Sequence, residues 1–362
     1  MSRPTGLERE RAWMTRALTL ARKGWGQTAP NPMVGAVVVR GGRIVGEGYH
    51  ARYGGPHAEV AALEKAGKRA RGATVYVTLE PCSHWGKTPP CTDALIAAGV
   101  TRVVCATTDP GKKAGGGARK LRRAGIEVEF GLEANAAREL NAPFFFASEH
   151  GRRPFVTLKL AVSADGAVAA RGGKRTRITG DAADREVHRM RAQTDAIAVG
   201  LGTARADNPA LTVRHVRQPR IPPVRVVFDR GARLPLSREI VATAHAIPTV
   251  VLAERPDRAR ELALYKRGVE VLHTKGLKDG LQLLARHAVR SLLVEGGPTI
   301  AKALLDARVV DRLVIFQSPR RLRAGAIAAF DDASLLDRFR VVARRRFGSD
   351  VMTIYDPTST RT

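Results

Sequence analysis

Between Val34 and Gly131 strand and helix signals alternate with short connections, which confines this part of the chain to a layered α/β domain. VGAVVVR and RIVGEGY read as two strands around Gly41 and Gly42, a hairpin. AEVAALEKAG reads as a helix ending near Gly67, ATVYVTL as a strand, CTDALIAAG as a helix and VTRVVCAT as a strand. ARKLRRAG and IEVEFG complete the series as helix and strand, and residues 8–23 place Trp13, Ala17, Leu18 and Ala21 at helical spacing ahead of it. The aromatic, then polar, Pro-terminated stretch APFFFASEHGRRP reads as a linker or domain junction. A second alternation begins at Phe155 with FVTLKLAVS and runs to RLVIFQ, without repeating the first. Two α/β domains are therefore expected, at residues 1–147 and 148–362.

Bulk properties narrow the class. No apolar run reaches the roughly 20 residues of a membrane span, and no apolar stretch follows the charged N-terminus as a secretory signal requires. Only Cys82, Cys91 and Cys105 are present, too few for a disulfide framework, so reduced thiols and a cytoplasmic location are expected. Cys105, in RVVCATT, reads as a core residue. The net charge of +27 raises nucleic acid as a partner, but the basic residues are spread evenly and are not interleaved with aromatics, so no nucleic-acid role is expected.

Chemistry concentrates in PHAEVAAL and TLEPCSHWGKTPPCTDALIAAG. His57, Cys82 and Cys91 offer one imidazole and two thiols, a zinc-binding set that leaves a fourth position for water. Glu59, two residues beyond His57 on the same helix turn, suits proton transfer between that water and a leaving nitrogen. Cys91 follows Pro89 and Pro90 and opens a helix, where the dipole favours a thiolate. His-x-Glu alone is a weak signal; joined to Pro-Cys at a strand end it is the pattern of zinc nucleobase deaminases.

APNPMVGAVVV, GEGYH, PHAEVAAL and VTLEPCSHWGKTPPCTDALIAAGV closely resemble the deaminase domain of bifunctional riboflavin-biosynthesis proteins of the RibD type. The long interval between the cysteines marks this family, since general cytidine-type deaminases carry two residues there. The resemblance implies a cytidine-deaminase-like three-layer domain in which His57, Cys82 and Cys91 hold Zn2+ and Glu59 shuttles protons. It further implies that Asn31 contacts the pyrimidine, and that His84, Lys87 and Thr88 line the substrate pocket with Lys87 near the phosphate. Where the family reads Asp-Pro-Asn-Pro, this chain reads TDPGKKAGGGARK: Asp109 remains as a substrate contact, Lys112 or Lys113 stands in for the asparagine or that contact is lost, and Gly115–Gly117 reads either as a phosphate cradle or as a surface loop.

The second half lacks a Gly-x-Gly-x-x-Gly fingerprint, so a pyridine nucleotide needs another phosphate site. FVTLKLAVSADGAVAA, RITGDAADREVHRMRAQTDAIAVGLGTARADNPALTVR and LLVEGGPTIAKALLDARVVDRL resemble the reductase domain of the same proteins, which implies a dihydrofolate-reductase-like fold using NADPH. By motif match Lys159 is catalytic, and Asp165, Arg191, Asp207, Arg214 and Glu295 bind or orient the substrate, with Arg191 and Arg214 on its phosphate. Thr179, Thr203, Gly296 and Gly297 lie against NADPH by the same match. Arg175 and Arg177 stand where the family has Ser and Trp; they are expected to grip the extra phosphate of the cofactor or to mark a weakened reductase.

Together the resemblance implies zinc-dependent deamination of a phosphoribosylaminopyrimidine, then NADPH-dependent reduction of its ribosyl group. A second reading is a zinc deaminase acting on RNA with a basic C-terminal binding domain, and a third is a basic binding protein with an inactive metal site. The sequence leaves a homo-oligomeric state open.

Overall fold

The computed structural model describes residues 5–111, 116–171, 176–322, 325–330 and 333–358. The chain divides into two compact units, Met1–His150 and Gly151–Thr362.

The first unit opens with helix α1 (Gly6–Ala21), started by a capping box in which Thr5 and Glu8 satisfy each other's backbone N–H groups. Strands β1 (Gly35–Arg40) and β2 (Arg43–Tyr49) form the expected hairpin. Helix α2 (Ala58–Ala66), strand β3 (Thr74–Val77), helix α3 (Cys91–Ala97), strand β4 (Arg102–Cys105), helix α4 (Gly117–Arg123) and strand β5 (Glu127–Phe130) follow. The sheet order is β2-β1-β3-β4-β5, with β3, β4 and β5 parallel and both β1 pairings antiparallel.

Alternate side chains of each strand feed opposite faces of this sheet. Val38, Val75 and Val103 pack with Ala62 of α2, Leu95 of α3 and Leu121 of α4 on one side. Val37, Tyr76 and Val104 pack with Met14 and Leu18 of α1 on the other, where helix α5 (Ala134–Leu140) adds Ala137. Three layers result. Helix α2 lies directly on β2: a Cβ at Gly48 would stand 2.4 Å from the Ala58 carbonyl oxygen, so only glycine lets the helix come this close.

The aromatic stretch expected as a linker is instead helix α6 (Ala142–His150). Phe145 is buried and the Arg138 guanidinium lies 4.4 Å from its ring centre, so packing against α5 orders the segment.

The second unit begins with β6 (Phe155–Val162) and the short β7 (Ala167–Ala169). Helix α7 (Asp181–Ala192), β8 (Ala196–Gly200), α8 (Leu201–Asp207), β9 (Val224–Phe228), α9 (Glu239–Ala242) and β10 (Thr249–Ala253) follow. Then come α10 (Arg258–Tyr265), β11 (Val269–His273), α11 (Leu277–Arg286), β12 (Ser291–Val294), α12 (Pro298–Asp306) and β13 (Arg312–Gln317). Strand β14 (Ile327–Ala328) pairs with β7, and the hairpin β15 (Phe339–Phe347) and β16 (Asp350–Pro357) closes the unit.

Its main sheet has nine strands in the order β11-β10-β9-β8-β12-β6-β13-β16-β15. The first seven are mutually parallel and the last two join antiparallel. Parallel strands buried on both faces explain the near-continuous apolar runs of β8 and β10. The C-terminal ends of β8 and β12, beside α8 and α12, open onto a cavity.

Candidate active sites

Three elements of the first unit bring the proposed zinc ligands together. His57 is the N-terminal cap of α2, Cys82 follows the loop after β3, and Cys91 is the first residue of α3. Nδ1 of His57 lies 3.1 Å from Sγ of Cys91 and 3.6 Å from Sγ of Cys82. All three donor atoms lie within 4.8 Å of one another, the only such cluster among the described residues. A nitrogen and two sulfurs at this spacing fit zinc.

The Cys91 thiol, aided by the His57 ring, lowers the Cys82 thiol below its ordinary value, while the bond to Cys82 drives Cys91 upward. His57 is raised, chiefly by Cys82. Glu59 is 3% exposed, and burial raises its carboxyl to about 7.

Asn31 Nδ2 lies 3.3 Å from Nε2 of His50, whose Nδ1 lies 3.0 Å from the Pro56 carbonyl oxygen. A ring nitrogen facing a carbonyl must carry the proton, so Nδ1–H donates to Pro56 and Nε2 accepts from Asn31. The His50 ring meets that of His57 edge-on at 5.2 Å. Sequence reasoning missed His50; its signal was a histidine closing GEGYH at a strand end.

His84 and Lys87 are exposed on the loop between the two cysteines, the Lys87 ammonium lies 4.7 Å from the Tyr53 ring centre, and Thr88 Oγ1 is 3.4 Å from Nε2 of His57. Asp109 is half-buried, and burial raises its carboxyl. Lys112, Lys113 and Gly115 lie outside the described residues. In the described part of the glycine run the backbone N–H of Gly116, like that of Ala118 beyond the run, donates to the buried carboxylate of Glu80.

In the second unit a cavity of about 1160 Å³ is lined by Lys159, Arg177, Thr179, Asp184, Arg191, Thr203, Asp207, Glu295, Gly296 and Gly297, among others. At its centre Arg191 clamps Glu295 with two parallel bonds, Nε to Oε1 at 2.5 Å and Nη2 to Oε2 at 2.9 Å. Lys159 Nζ stands 3.9 Å from Oε2 of Glu295. Burial works to raise Glu295, but Arg191 overrides it and holds the carboxyl near 2. Burial lowers Lys159 against the pull of Glu295.

Several expectations shift with this geometry. The remaining Arg191 nitrogen donates to the Thr212 carbonyl at 2.9 Å, so its guanidinium is committed to the protein rather than open to a phosphate. Arg177 pairs with both Asp181 and Asp184, which cancels its charge at the cavity wall. Arg175 lies outside the described residues. Asp165 accepts from Ser163 Oγ and Leu322 N, and neither it nor Arg214 is among the cavity-lining residues. His188, missed in the sequence, accepts the Arg214 N–H at 3.0 Å. Thr203 Oγ1 accepts the Gly297 N–H at 3.1 Å, joining α8 to the start of α12.

A His-Cys-Cys cluster beside a buried glutamate on a three-layer unit fits a zinc hydrolase, and the second unit carries a separate cavity around Lys159, Arg191 and Glu295. Residues 7–107 match the cytidine and deoxycytidylate deaminase zinc-binding region, and residues 154–353 match the RibD C-terminal domain. The riboflavin biosynthesis protein RibD of Aquifex aeolicus is 45% identical over 88% of this chain and 89% of its own length. That of Escherichia coli is 41% identical over 94% and 97%. The solved Acinetobacter baumannii RibD superposes with a TM-score of 0.85 at 38% identity, covering 98% of this chain and all of that one. The Thermotoga maritima diaminohydroxyphosphoribosylaminopyrimidine deaminase/5-amino-6-(5-phosphoribosylamino)uracil reductase gives 0.84 at 36% identity, covering 98% of this chain and 100% of its own.

The chain belongs to the RibD family. It is a bifunctional deaminase and reductase of riboflavin biosynthesis that uses zinc and NADPH, with a cytidine-deaminase-like N-terminal domain and a dihydrofolate-reductase-like C-terminal domain. These matches favour small-molecule chemistry over the RNA-directed reading and set aside the inactive binding protein.

Proposed function

We propose that the N-terminal unit deaminates the diaminohydroxyphosphoribosylaminopyrimidine for which the Thermotoga relative is named, and that the C-terminal unit reduces the resulting 5-amino-6-(5-phosphoribosylamino)uracil. The observation that carries the first half is the convergence of His57, Cys82 and Cys91 beside the buried Glu59. Those three side chains hold zinc, which when bound acidifies water for attack on the amino-bearing carbon. Glu59 takes the proton and delivers it to the departing nitrogen, its burial keeping bulk water from competing. Asn31, fixed by His50, presents its carbonyl oxygen to a ring N–H of the pyrimidine. His84, Lys87, Thr88 and Asp109 bind the sugar-phosphate side, with the Lys87 ammonium on the phosphate.

When bound in the C-terminal unit, NADPH would supply the hydride. Gly296, Gly297 and the start of α12 would lie against its phosphates and Thr179 and Thr203 would flank it, leaving Asp207 in the same cavity for the substrate. As hydride adds to the sugar's first carbon its ring C–O bond breaks, and Lys159 donates a proton to the departing oxygen while Glu295 holds the ammonium in place. Arg191 serves by orienting Glu295. The protein works in the cytoplasm, in keeping with three free cysteines.

The test is metal removal with each substrate in turn. Chelation is expected to stop ammonia release from the diaminopyrimidine and to leave NADPH oxidation by the uracil substrate intact. Ammonia release that survives complete removal of zinc contradicts the assignment.

A further inference from the structure

The Glu80 side chain, 7% exposed, accepts three backbone N–H groups from two separate segments. Oε1 takes Gly116 N at 3.2 Å and Ala118 N at 3.0 Å, and Oε2 takes Asp109 N at 3.3 Å. Its own N–H donates to the Thr107 carbonyl at 2.9 Å, so the residue is held at both ends. A carboxylate that accepts three amide protons fixes the segments that supply them.

Those segments bound the deaminase site. Cys82, two residues on, is a zinc ligand; its carbonyl accepts Thr92 N at 3.2 Å and its sulfur accepts Cys91 N at 3.4 Å, which ties the Glu80–Pro81–Cys82 strip to the start of α3. From the other side α4 presses on the same strip. A Cβ at Gly117 would fall 1.8 Å from the Pro81 carbonyl oxygen, so only glycine permits the approach. The first turn of α4 and the backbone of Asp109 are thereby referenced to the strip that bears Cys82.

We infer that Glu80 is a positioning residue of the deaminase: it sets Asp109 against the substrate's sugar-phosphate side at a fixed distance from the zinc cluster, without touching the substrate itself. The inference rests on the deaminase reading above. A glutamine at this position keeps the shape but replaces one acceptor oxygen with an NH₂ group, which meets a backbone N–H head-on. The Asp109 segment is then released while the zinc ligands stay.

The experiment compares Glu80→Gln with the unaltered full-length protein, measuring deaminase KM and kcat, zinc content and, on the same preparation, reductase turnover of the uracil substrate. Glu80→Gln is expected to raise the deaminase KM about tenfold, the loss of one charge-assisted bond, with zinc and reductase rate unchanged. Unchanged deaminase KM in Glu80→Gln overturns the inference, as does a KM rise that tracks zinc loss or a parallel fall in reductase rate. Failure of the unaltered protein to deaminate the diaminopyrimidine would instead overturn the functional reading on which the inference rests.

Discussion

Arg191 on α7 and Glu295 at the end of β12 form a two-bond ion pair, 2.5 and 2.9 Å long, with side chains only 12% and 10% exposed. Lys159 of β6 approaches the same carboxylate at 3.9 Å. Two cations flank one anion, so removing either should have different consequences.

Arg191→Met leaves Glu295 buried beside a single, more distant cation. Breaking a buried pair from one side costs about 3–5 kcal/mol, so a clear fall in melting temperature of the C-terminal unit is expected, together with a large loss of reductase rate. Differential scanning calorimetry and NADPH oxidation check both, and an unchanged melting temperature would refute the clamp.

Lys159→Met keeps the Arg191–Glu295 pair and the side-chain volume. Melting should barely move, while reductase kcat falls by about a hundredfold through loss of the proton donor at the sugar oxygen. Full-rate NADPH consumption in this variant would remove Lys159 from the mechanism.

Glu59→Gln retains all three zinc ligands and loses the proton carrier. Deaminase kcat should drop by about a thousandfold with zinc still bound and the reductase unaffected. Metal analysis beside ammonia release reads the outcome; normal turnover would displace Glu59 from its role.

His188 gives a pH signature. Burial, aided by Arg191 and Arg214, holds its pKa at about 4, below the ordinary 6.5, while Glu295 pulls the other way and His215 adds to the lowering. Between these values the unfolded chain binds a proton that the folded chain refuses. The stabilisation is therefore complete above 6.5 and is lost as pH falls towards 4. Melting measured from neutral pH downward should fall less steeply in His188→Gln than in the unaltered protein, and equal slopes would refute the assignment.

The deaminase half was legible because its chemistry is local. His57 and Glu59 share one helix turn, Cys91 opens a helix after two prolines, and the hairpin turn at Gly41 and Gly42 fixes the first strand pair. What escaped depends on distant partners. Arg191 looked free for a phosphate because Glu295, its partner, lies 104 residues away in sequence. Arg177 looked cationic because its pairing with Asp181 and Asp184 forms only once α7 begins at Asp181. Helix α6 carried a start signal, Pro143 as its second residue, that the aromatic run obscured. Strand β15 has exposed residues on both faces and no apolar alternation, so its place beside β16 is set by the sheet and not by its own pattern.

The central claim, two successive reactions on one chain, is tested most directly by product analysis of the zinc-loaded protein incubated with the diaminopyrimidine substrate, with and without NADPH. The account predicts a deaminated uracil product and ammonia without NADPH, and a further product heavier by two hydrogens with it. Recovery of unchanged substrate in both reactions, or of the same product in both, would contradict it.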